Sequence, residues 1–208
     1  MTAEPTPELA PDPTAAADPL AASALVVVDV QQGFADPAWG HRNNPAFEDN
    51  LQRLLRAWAA AGLPLVYVRH DSSEADSPLH PDRRGNQLQE LLAAASPDLL
   101  VTKQVNSSFH GSPDLNGWLR GNGLTGIVVT GITTNHCCET TARVGGNLGY
   151  DVRFVLDATY TFDRTGPDGS TLTADELARA TATNLHGEFA TVVATDDLVG
   201  ALGPDPSK

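Results

Sequence analysis

Short runs of β-branched and aliphatic residues alternate with segments of helical periodicity along this chain, and this alternation limits the fold more than any other feature. Strands that are joined through helices run parallel, because the chain must cross over before it rejoins the sheet. The sequence therefore predicts an α/β fold with three layers, in which helices cover both faces of an open, mostly parallel, six-stranded, Rossmann-like sheet. The apolar runs that predict its strands cover residues 24–30, 63–69, 99–103, 125–131, 150–158 and 190–195.

The segments between these runs carry helix start and stop signals of their own. Asn44 is expected to cap the first helix, which Gly62 would end. Thr173 begins a Thr-x-x-Glu capping box for a late helix that would end near His186. Further helices are predicted over residues 87–95, from Ser112-Pro113 to Gly121, and from Cys137 to Leu148.

The chain has 208 residues, which suits one domain with a full hydrophobic core. Residues 1–22 are rich in Pro, Ala and acidic residues and lack apolar periodicity, so we expect a disordered tail there. The predicted domain covers residues 23–200, and residues 201–208 are expected to form a second, short tail.

The overall charge excludes some classes of partner. A formal net charge of −13 argues against binding nucleic acid, which requires a basic surface, and against binding anionic membranes. The sequence contains neither an apolar run long enough to span a bilayer nor the basic and apolar regions of a secretory signal. We therefore expect a cytoplasmic protein whose partner is a small molecule.

Both cysteines of the chain are adjacent, at Cys137 and Cys138. Neighbouring cysteines rarely form a disulfide, because the ring strains the peptide between them. They do not form a zinc motif either, since zinc sites require spaced ligands. A single thiol at a helix start is a candidate nucleophile, and Cys138, which points to another side of the helix, is expected to fill the core.

Two charged residues occur where predicted buried strands end. Asp29 lies within an apolar run and Lys103 directly follows another, so both are expected at the carboxyl edge of the sheet, near Cys137. The positive charge of Lys103 and the helix start would lower the pKa of the thiol, and Asp29 would accept its proton. Taken singly, Asp29 can instead have a structural role, and Lys103 can extend to solvent from a strand end.

Three segments carry a resemblance to a known family. The segments VVVDVQQGFAD, TKQVNSSF and VVTGITTNHCCETTARVGGNLGYDVRFVLDATYTF resemble the isochorismatase-like cysteine hydrolases, which include nicotinamidases, N-carbamoylsarcosine amidases and streptothricin hydrolases. The resemblance extends over residues 24–195 and implies an Asp-Lys-Cys triad of Asp29, Lys103 and Cys137. True isochorismatases lack the nucleophilic cysteine, so its presence here favours hydrolysis of a carbon–nitrogen bond.

The resemblance also implies features around the nucleophile. In the family the cysteine follows the glycine that ends the fourth strand by six residues, as Cys137 follows Gly131. A cis peptide bond between Ile132 and Thr133 is implied, and the amides of Thr133 and Cys137 would bind the oxyanion. Nicotinamidases have an Asp-x-His metal motif after the second strand, but this chain has Val68-Arg69-His70 there, so we expect no metal or other cofactor. His70, Asp71 and His80 remain as a weak cluster of metal-ligand types.

The sequence thus predicts an amidohydrolase that cleaves an amide, lactam or carbamoyl group through a thioester. Two alternatives remain open, namely a thiol redox or sensor protein and a silent binding protein with the same fold. The resemblance implies a homo-oligomer, either a dimer or a tetramer. Residues expected to line the substrate pocket are Phe34, Trp39, His70, His136, Tyr160 and Phe162.

Overall fold

The central sheet has six strands in the computed structural model, which describes residues 20–203. The strands of the chain are β1 (Ser23–Val28), β2 (Leu65–His70), β3 (Leu99–Lys103), β4 (Gly126–Ile132), β5 (Asp151–Tyr160), β6 (Arg164–Thr165), β7 (Thr171–Leu172) and β8 (Thr191–Val193). Six of them lie in the order β3-β2-β1-β4-β5-β8, and each adjacent pair is parallel. The short strands β6 and β7 form a separate antiparallel pair.

Helices cover both faces of the sheet, which confirms the predicted three layers. Alternate residues of β1 explain why both faces are apolar: Leu25 and Val27 enter one core, whereas Val26 and Val28 enter the other. Two helices pack in the first core and three in the second. They are α1 (Phe47–Ala60) and α5 (Thr195–Ala201) on one face, and α2 (Leu115–Gly121), α3 (Glu139–Asn147) and α4 (Ala174–Leu185) on the other.

The starts of two helices differ from the prediction. Asn44 does not cap α1. Its backbone is left-handed (φ 51°), and its amide donates to the carbonyls of Asp157 (2.8 Å) and Thr159 (2.7 Å), which fixes the loop to β5. Asp114, rather than Ser112-Pro113, caps α2 by accepting from the Asn116 amide at 3.0 Å.

The bounds of other helices and strands also differ from the prediction. The capping box at Thr173 is confirmed. The helix predicted over 87–95 is a short 3-10 segment, Glu90–Ala94. The last strand ends at Val193 rather than at residue 195, and α5 follows it from Thr195, where no helix was predicted. No helix among the described residues is long and apolar enough to cross a membrane.

The structure corrects both predicted tails at their inner ends. Residues 1–19 and 204–208 lie outside the described residues, so those parts of the two tails stay predictions. Residues 20–22 form a turn, and Leu20 is fully buried in the core, because its side chain packs within the α1 face. Ala201 is the last residue of α5, and Leu202 packs partly against the same core.

The strand order creates a crevice at one edge of the sheet. The chain adds β2 and β3 on one side of β1 and β4 and β5 on the other, so the connections after β1 and β4 diverge there. Gly131 lets these two strands approach closely: its φ is 121°, and a Cβ there would lie 2.1 Å from the Val28 carbonyl oxygen. A ligand-binding site is therefore expected at the carboxyl ends of β1 and β4.

Candidate active site

The structure brings together the three residues that the sequence pointed to. Lys103, the last residue of β3, places its Nζ 2.5 Å from Oδ2 of Asp29 and 3.4 Å from Sγ of Cys137. The side chains of Asp29 and Lys103 are completely buried, and Cys137 is 8% exposed. Three residues from separate strand ends thus form one contact group at the carboxyl edge of the sheet.

Asp29 leaves β1 in an unusual conformation. Its φ of 52° is left-handed, which non-glycine residues seldom adopt and which is often found at functional sites. Its amide donates to the Val68 carbonyl at 2.9 Å, so the backbone stays attached to β2. Oδ2 accepts from Lys103, but Oδ1 is buried and has no hydrogen-bond partner among the described residues. A buried carboxylate oxygen without a partner is costly, and it is available to accept a proton.

A π-helical turn, Thr134–Cys138, carries the thiol, and α3 begins only after it. The predicted helix is therefore present, but it begins earlier, as a π-helical turn, and becomes α-helical only at Glu139. The carbonyl of Thr133 accepts from the amides of His136 (3.3 Å) and Cys138 (3.2 Å), which tightens the turn around the thiol. The Ile132–Thr133 peptide bond is cis, as expected, with Ile132 buried in the sheet and Thr133 at the cavity.

The resting state of the thiol differs from the prediction. Burial and the Asp29 carboxylate raise the pKa of Cys137 far above its ordinary value, and the opposing effect of Lys103 is smaller. Cys137 is therefore a thiol in the resting protein, rather than the thiolate that a helix start and a lysine were expected to give. The sulfur also lies 3.7 Å from Oδ1 of Asn106, to which it can donate. Cys138 is fully buried in the core, as predicted.

The ammonium group of Lys103 contacts three partners. Besides Asp29 and Cys137, Nζ lies 3.2 Å from Nδ1 of His70, the residue opposite it in β2. Burial alone would lower the pKa of Lys103, but the Asp29 carboxylate, together with the contact to Cys137, raises it above its ordinary value. Burial and Lys103 lower the pKa of His70. His70 is thus neutral, accepts at Nδ1 and carries its proton on Nε2.

A second group of polar residues, which the sequence analysis missed, holds His70 in place. The buried amide of Gln31 accepts from the His70 amide at 2.8 Å and donates to the His70 carbonyl at 3.0 Å. Asn86 donates to the same carbonyl at 3.1 Å and to Asp71 at 2.9 Å. Gln31 lies two residues beyond Asp29 in the segment VVVDVQQGFAD. A polar side chain directly after a buried strand could have indicated a residue that positions the site.

A cavity of about 170 Å³ opens above Cys137, and three aromatic rings form part of its wall. Five of the six predicted pocket residues line it, namely Phe34, Trp39, His70, His136 and Phe162. The ring centroids of Trp39 lie 5.2 Å from Phe34 and 5.5 Å from Phe162. The pocket prediction for Tyr160 was wrong: its ring is 1% exposed and packs behind this wall, edge-on to Phe47 and Phe162, with Arg42 over it.

The sequence analysis also missed several residues around the cavity. They come from loops, which carry no periodic pattern to identify an inward-facing side chain. Asn106, three residues after Lys103 in a polar segment, had the clearest signal. The cavity residues missed are Leu79, Asn106, Thr161, Asp163 and Arg164.

The residues present do not fit the zinc site of nicotinamidases. Arg69 binds Asp71 at 2.8 Å, and Nδ1 of His80 accepts from the Asp82 amide, so the weak cluster is occupied by other contacts. Asp29, His70 and Cys137 do offer ligand atoms within 4.8 Å of one another. The ammonium of Lys103 lies among those atoms, however, and its charge opposes a metal cation there.

Comparison with known proteins agrees with this geometry. A family model described as "Isochorismatase domain" matches residues 23–197. The chain is 38% identical over 176 residues to the uncharacterised isochorismatase family protein YrdC of Bacillus subtilis, which covers 85% of this chain and 94% of YrdC.

Two further similarities extend over most of the chain. The ureidoacrylate amidohydrolase RutB of Methylobacterium radiotolerans is 31% identical, over 93% of this chain and 83% of RutB. A crystal structure from Chromobacterium violaceum, of a protein assigned as an isochorismatase-family hydrolase, superposes with a TM-score of 0.83 at 36% identity. That match covers 96% of this chain and 99% of the other.

Proposed function

Because this chain belongs to the isochorismatase family and is a hydrolase of that family, we propose that it is a cysteine-dependent amidohydrolase. It cleaves a carbon–nitrogen bond of a small amide, lactam or carbamoyl compound through a thioester on Cys137. An amidohydrolase among its relatives supports this type of bond. A cavity of about 170 Å³ suits a small molecule rather than a polymer.

One observation carries the proposal, namely the unequal surroundings of the two Asp29 oxygens. Lys103 holds Oδ2 at 2.5 Å, whereas Oδ1 is buried without a partner among the described residues. The Asp29 carboxylate also contributes to the raised pKa of Cys137, which means that the two groups are close enough to interact. Asp29 is therefore oriented by one oxygen and able to receive the thiol proton on the other.

The acylation step follows from this arrangement. Oδ1 of Asp29 takes the proton of Cys137 as the sulfur attacks the carbonyl carbon of the substrate. The amides of Thr133 and Cys137 bind the oxygen as it becomes negative. The carbon–nitrogen bond then breaks, and the protonated Asp29 gives its proton to the departing nitrogen. The products of this step are an amine, or ammonia, and a thioester on Cys137.

Water completes the cycle. Asp29, now a carboxylate again, accepts a proton from a water molecule as its oxygen attacks the thioester carbonyl. The carbon–sulfur bond breaks, the sulfur recovers the proton from Asp29, and a carboxylic acid or carbamate leaves. Lys103 keeps its charge throughout, because its role is to hold Asp29 and to stabilise the sulfur as negative charge develops.

A panel of small amides, with release of ammonia or amine as the readout, tests this function. We expect the wild-type protein to hydrolyse at least one compound and Cys137→Ala to lose that activity. The matched control is Cys138→Ala, which removes the neighbouring sulfur from the core and should retain turnover. A thiol sensor would release neither product, and retention of activity in Cys137→Ala would refute the mechanism.

We further propose that the enzyme is cytoplasmic and forms a dimer or tetramer. Its reduced, neighbouring cysteines fit a reducing compartment. Sedimentation of the purified protein at several concentrations measures the assembly, and a single monomeric species throughout would contradict that part of the proposal.

A further inference from the structure

We propose that Arg164 forms an anion-binding subsite in the cavity, which selects substrates that carry a carboxylate in addition to the scissile amide. This inference rests on the proposed amidohydrolase function and specifies its substrate class. It assigns a role to a residue that no pattern in the sequence had singled out.

The position of Arg164 is fixed by a short hairpin. Its backbone pairs with Leu172 across β6 and β7, directly after the segment that carries Phe162. The side chain lines the same cavity as Cys137 and His136. Burial first, and then the positive charge of Arg164, lower the pKa of His136, which agrees with a guanidinium on that side of the cavity.

Arg164 differs from most other arginines because it lacks a carboxylate partner. Within the described residues, no Asp or Glu oxygen lies within 4.0 Å of its guanidinium. The adjacent Asp163 accepts instead from the Ala174 amide at 2.7 Å, at the first residue of α4. Arginines that do pair with a carboxylate are Arg42, Arg53, Arg69, Arg83, Arg143 and Arg153.

Among the described arginines, Arg56, Arg84, Arg120 and Arg179 also lack a carboxylate partner, but of these five only Arg164 lines the cavity that contains Cys137. The other cation of the site, Lys103, is completely buried and already contacts Asp29, His70 and Cys137. Arg164 is thus the cavity cation that remains available to a ligand among the residues described. The planar guanidinium binds a carboxylate through two parallel hydrogen bonds, which matches an anion better than a neutral amide.

Two alkylating reagents that differ mainly in charge test the subsite without a known substrate. Iodoacetate and iodoacetamide both transfer a two-carbon group to a thiol, but only iodoacetate carries a carboxylate. The readout is the ratio of their rates at Cys137, followed by intact mass and normalised to a free thiol in the same buffer. We expect Arg164→Gln to lower this ratio about tenfold, the value of one charge-assisted hydrogen-bonded contact.

Two control variants separate a specific contact from a general charge effect. Arg56→Gln removes the same charge from an exposed position of α1 and should leave the ratio unchanged. Arg164→Lys keeps the positive charge but lacks the planar guanidinium with its two parallel donors, so it should retain part of the preference for iodoacetate. An unchanged ratio in Arg164→Gln, or an equal fall for both reagents, would overturn the subsite while leaving the amidohydrolase proposal intact. Failure of both reagents to modify Cys137 would overturn both.

Discussion

The floor and the mouth of the cavity are built in different ways. The floor, which consists of Asp29, Lys103 and Cys137, lies at the ends of buried strands, and none of its residues is more than 8% exposed. The mouth is formed by Trp39 in a short 3-10 turn, His136 in the π-helical turn and Arg164 in β6, and these residues are half-buried or exposed. The floor therefore holds charges where water is excluded, and the mouth presents groups that a ligand meets first.

This difference separates chemistry from recognition. A charge at the floor has no solvent to replace a lost partner, so each floor residue depends on the other two. A residue at the mouth is partly hydrated, and its loss is compensated in part by water. Substitutions at the floor should consequently have large, coupled effects, and substitutions at the mouth should have small effects that depend on the substrate.

The largest effect is expected for Asp29→Asn. The amide has the size of the carboxylate but cannot accept the thiol proton, so turnover should fall about 10³-fold. Turnover of an amide identified from the panel measures it, with thermal unfolding as a check on the fold. Activity within tenfold of the wild type would show that another group acts as the base.

Stability provides a second test of the floor. Lys103→Met leaves the Asp29 carboxylate buried without its cation, which should lower the free energy of unfolding by about 3–5 kcal/mol. Urea unfolding measures the change. The double variant Asp29→Asn, Lys103→Met removes both charges and should recover much of the loss, whereas additive losses would mean that the two charges are not coupled.

The pH dependence of thiol reactivity tests the resting state. Because the pKa of Cys137 is raised, the thiolate fraction should rise about tenfold for each pH unit from 7 to 9, without reaching a plateau. The rate of alkylation by uncharged iodoacetamide, followed by intact mass, measures this fraction. A plateau near pH 7 would instead show that the free protein already holds a thiolate.

The same shift affects stability, and its sign follows from linkage. The folded state keeps the Cys137 proton at a pH where the unfolded thiol has lost it. The free energy of unfolding is therefore unaffected by this group below about pH 9 and falls as the pH rises above that value. Cys137→Ser should lose less free energy of unfolding than the wild type between pH 9 and 10. Parallel losses in the two proteins would contradict the raised pKa.

The smallest effect is expected at the mouth. Trp39→Leu removes a ring that stacks on Phe162 and packs at a tilt against Phe34 but leaves the floor untouched. We expect KM to rise by a few fold with little change in kcat, since one aromatic contact contributes about 0.5–1.5 kcal/mol. Steady-state kinetics measure both constants. A loss of kcat as large as that of Asp29→Asn would remove the distinction between mouth and floor.

The sequence allowed the floor to be predicted because buried strands have a strong signature. A charge such as Asp29 or Lys103 within or after an apolar run conflicts with burial, and parallel topology brings such strand ends to one edge. The same topology follows from the alternation of strands and helices, so the layers of the fold were predicted as well. The protonated state of the Cys137 thiol was not predicted, because the extent of burial around Cys137 depends on the packing of several loops.

The mouth was less predictable for a physical reason. Loop residues have no periodicity, so nothing in the sequence distinguishes Arg164, which faces the cavity, from an arginine on the surface. Tyr160 shows the reverse error: it ends β5 at the correct edge of the sheet, but its ring is 1% exposed and packs edge-on against Phe47, whereas Phe162, in the segment after the strand, lines the cavity. The start of α5 was missed because a strand and a helix follow each other almost directly.

Mass spectrometry of the enzyme, quenched in acid during turnover of an amide, tests the central claim most directly. The account predicts an adduct with the mass of the acyl fragment on the peptide that contains Cys137, and no adduct in Cys137→Ala. Turnover by Cys137→Ala at the wild-type rate, or an acyl group attached to a different residue, would contradict it.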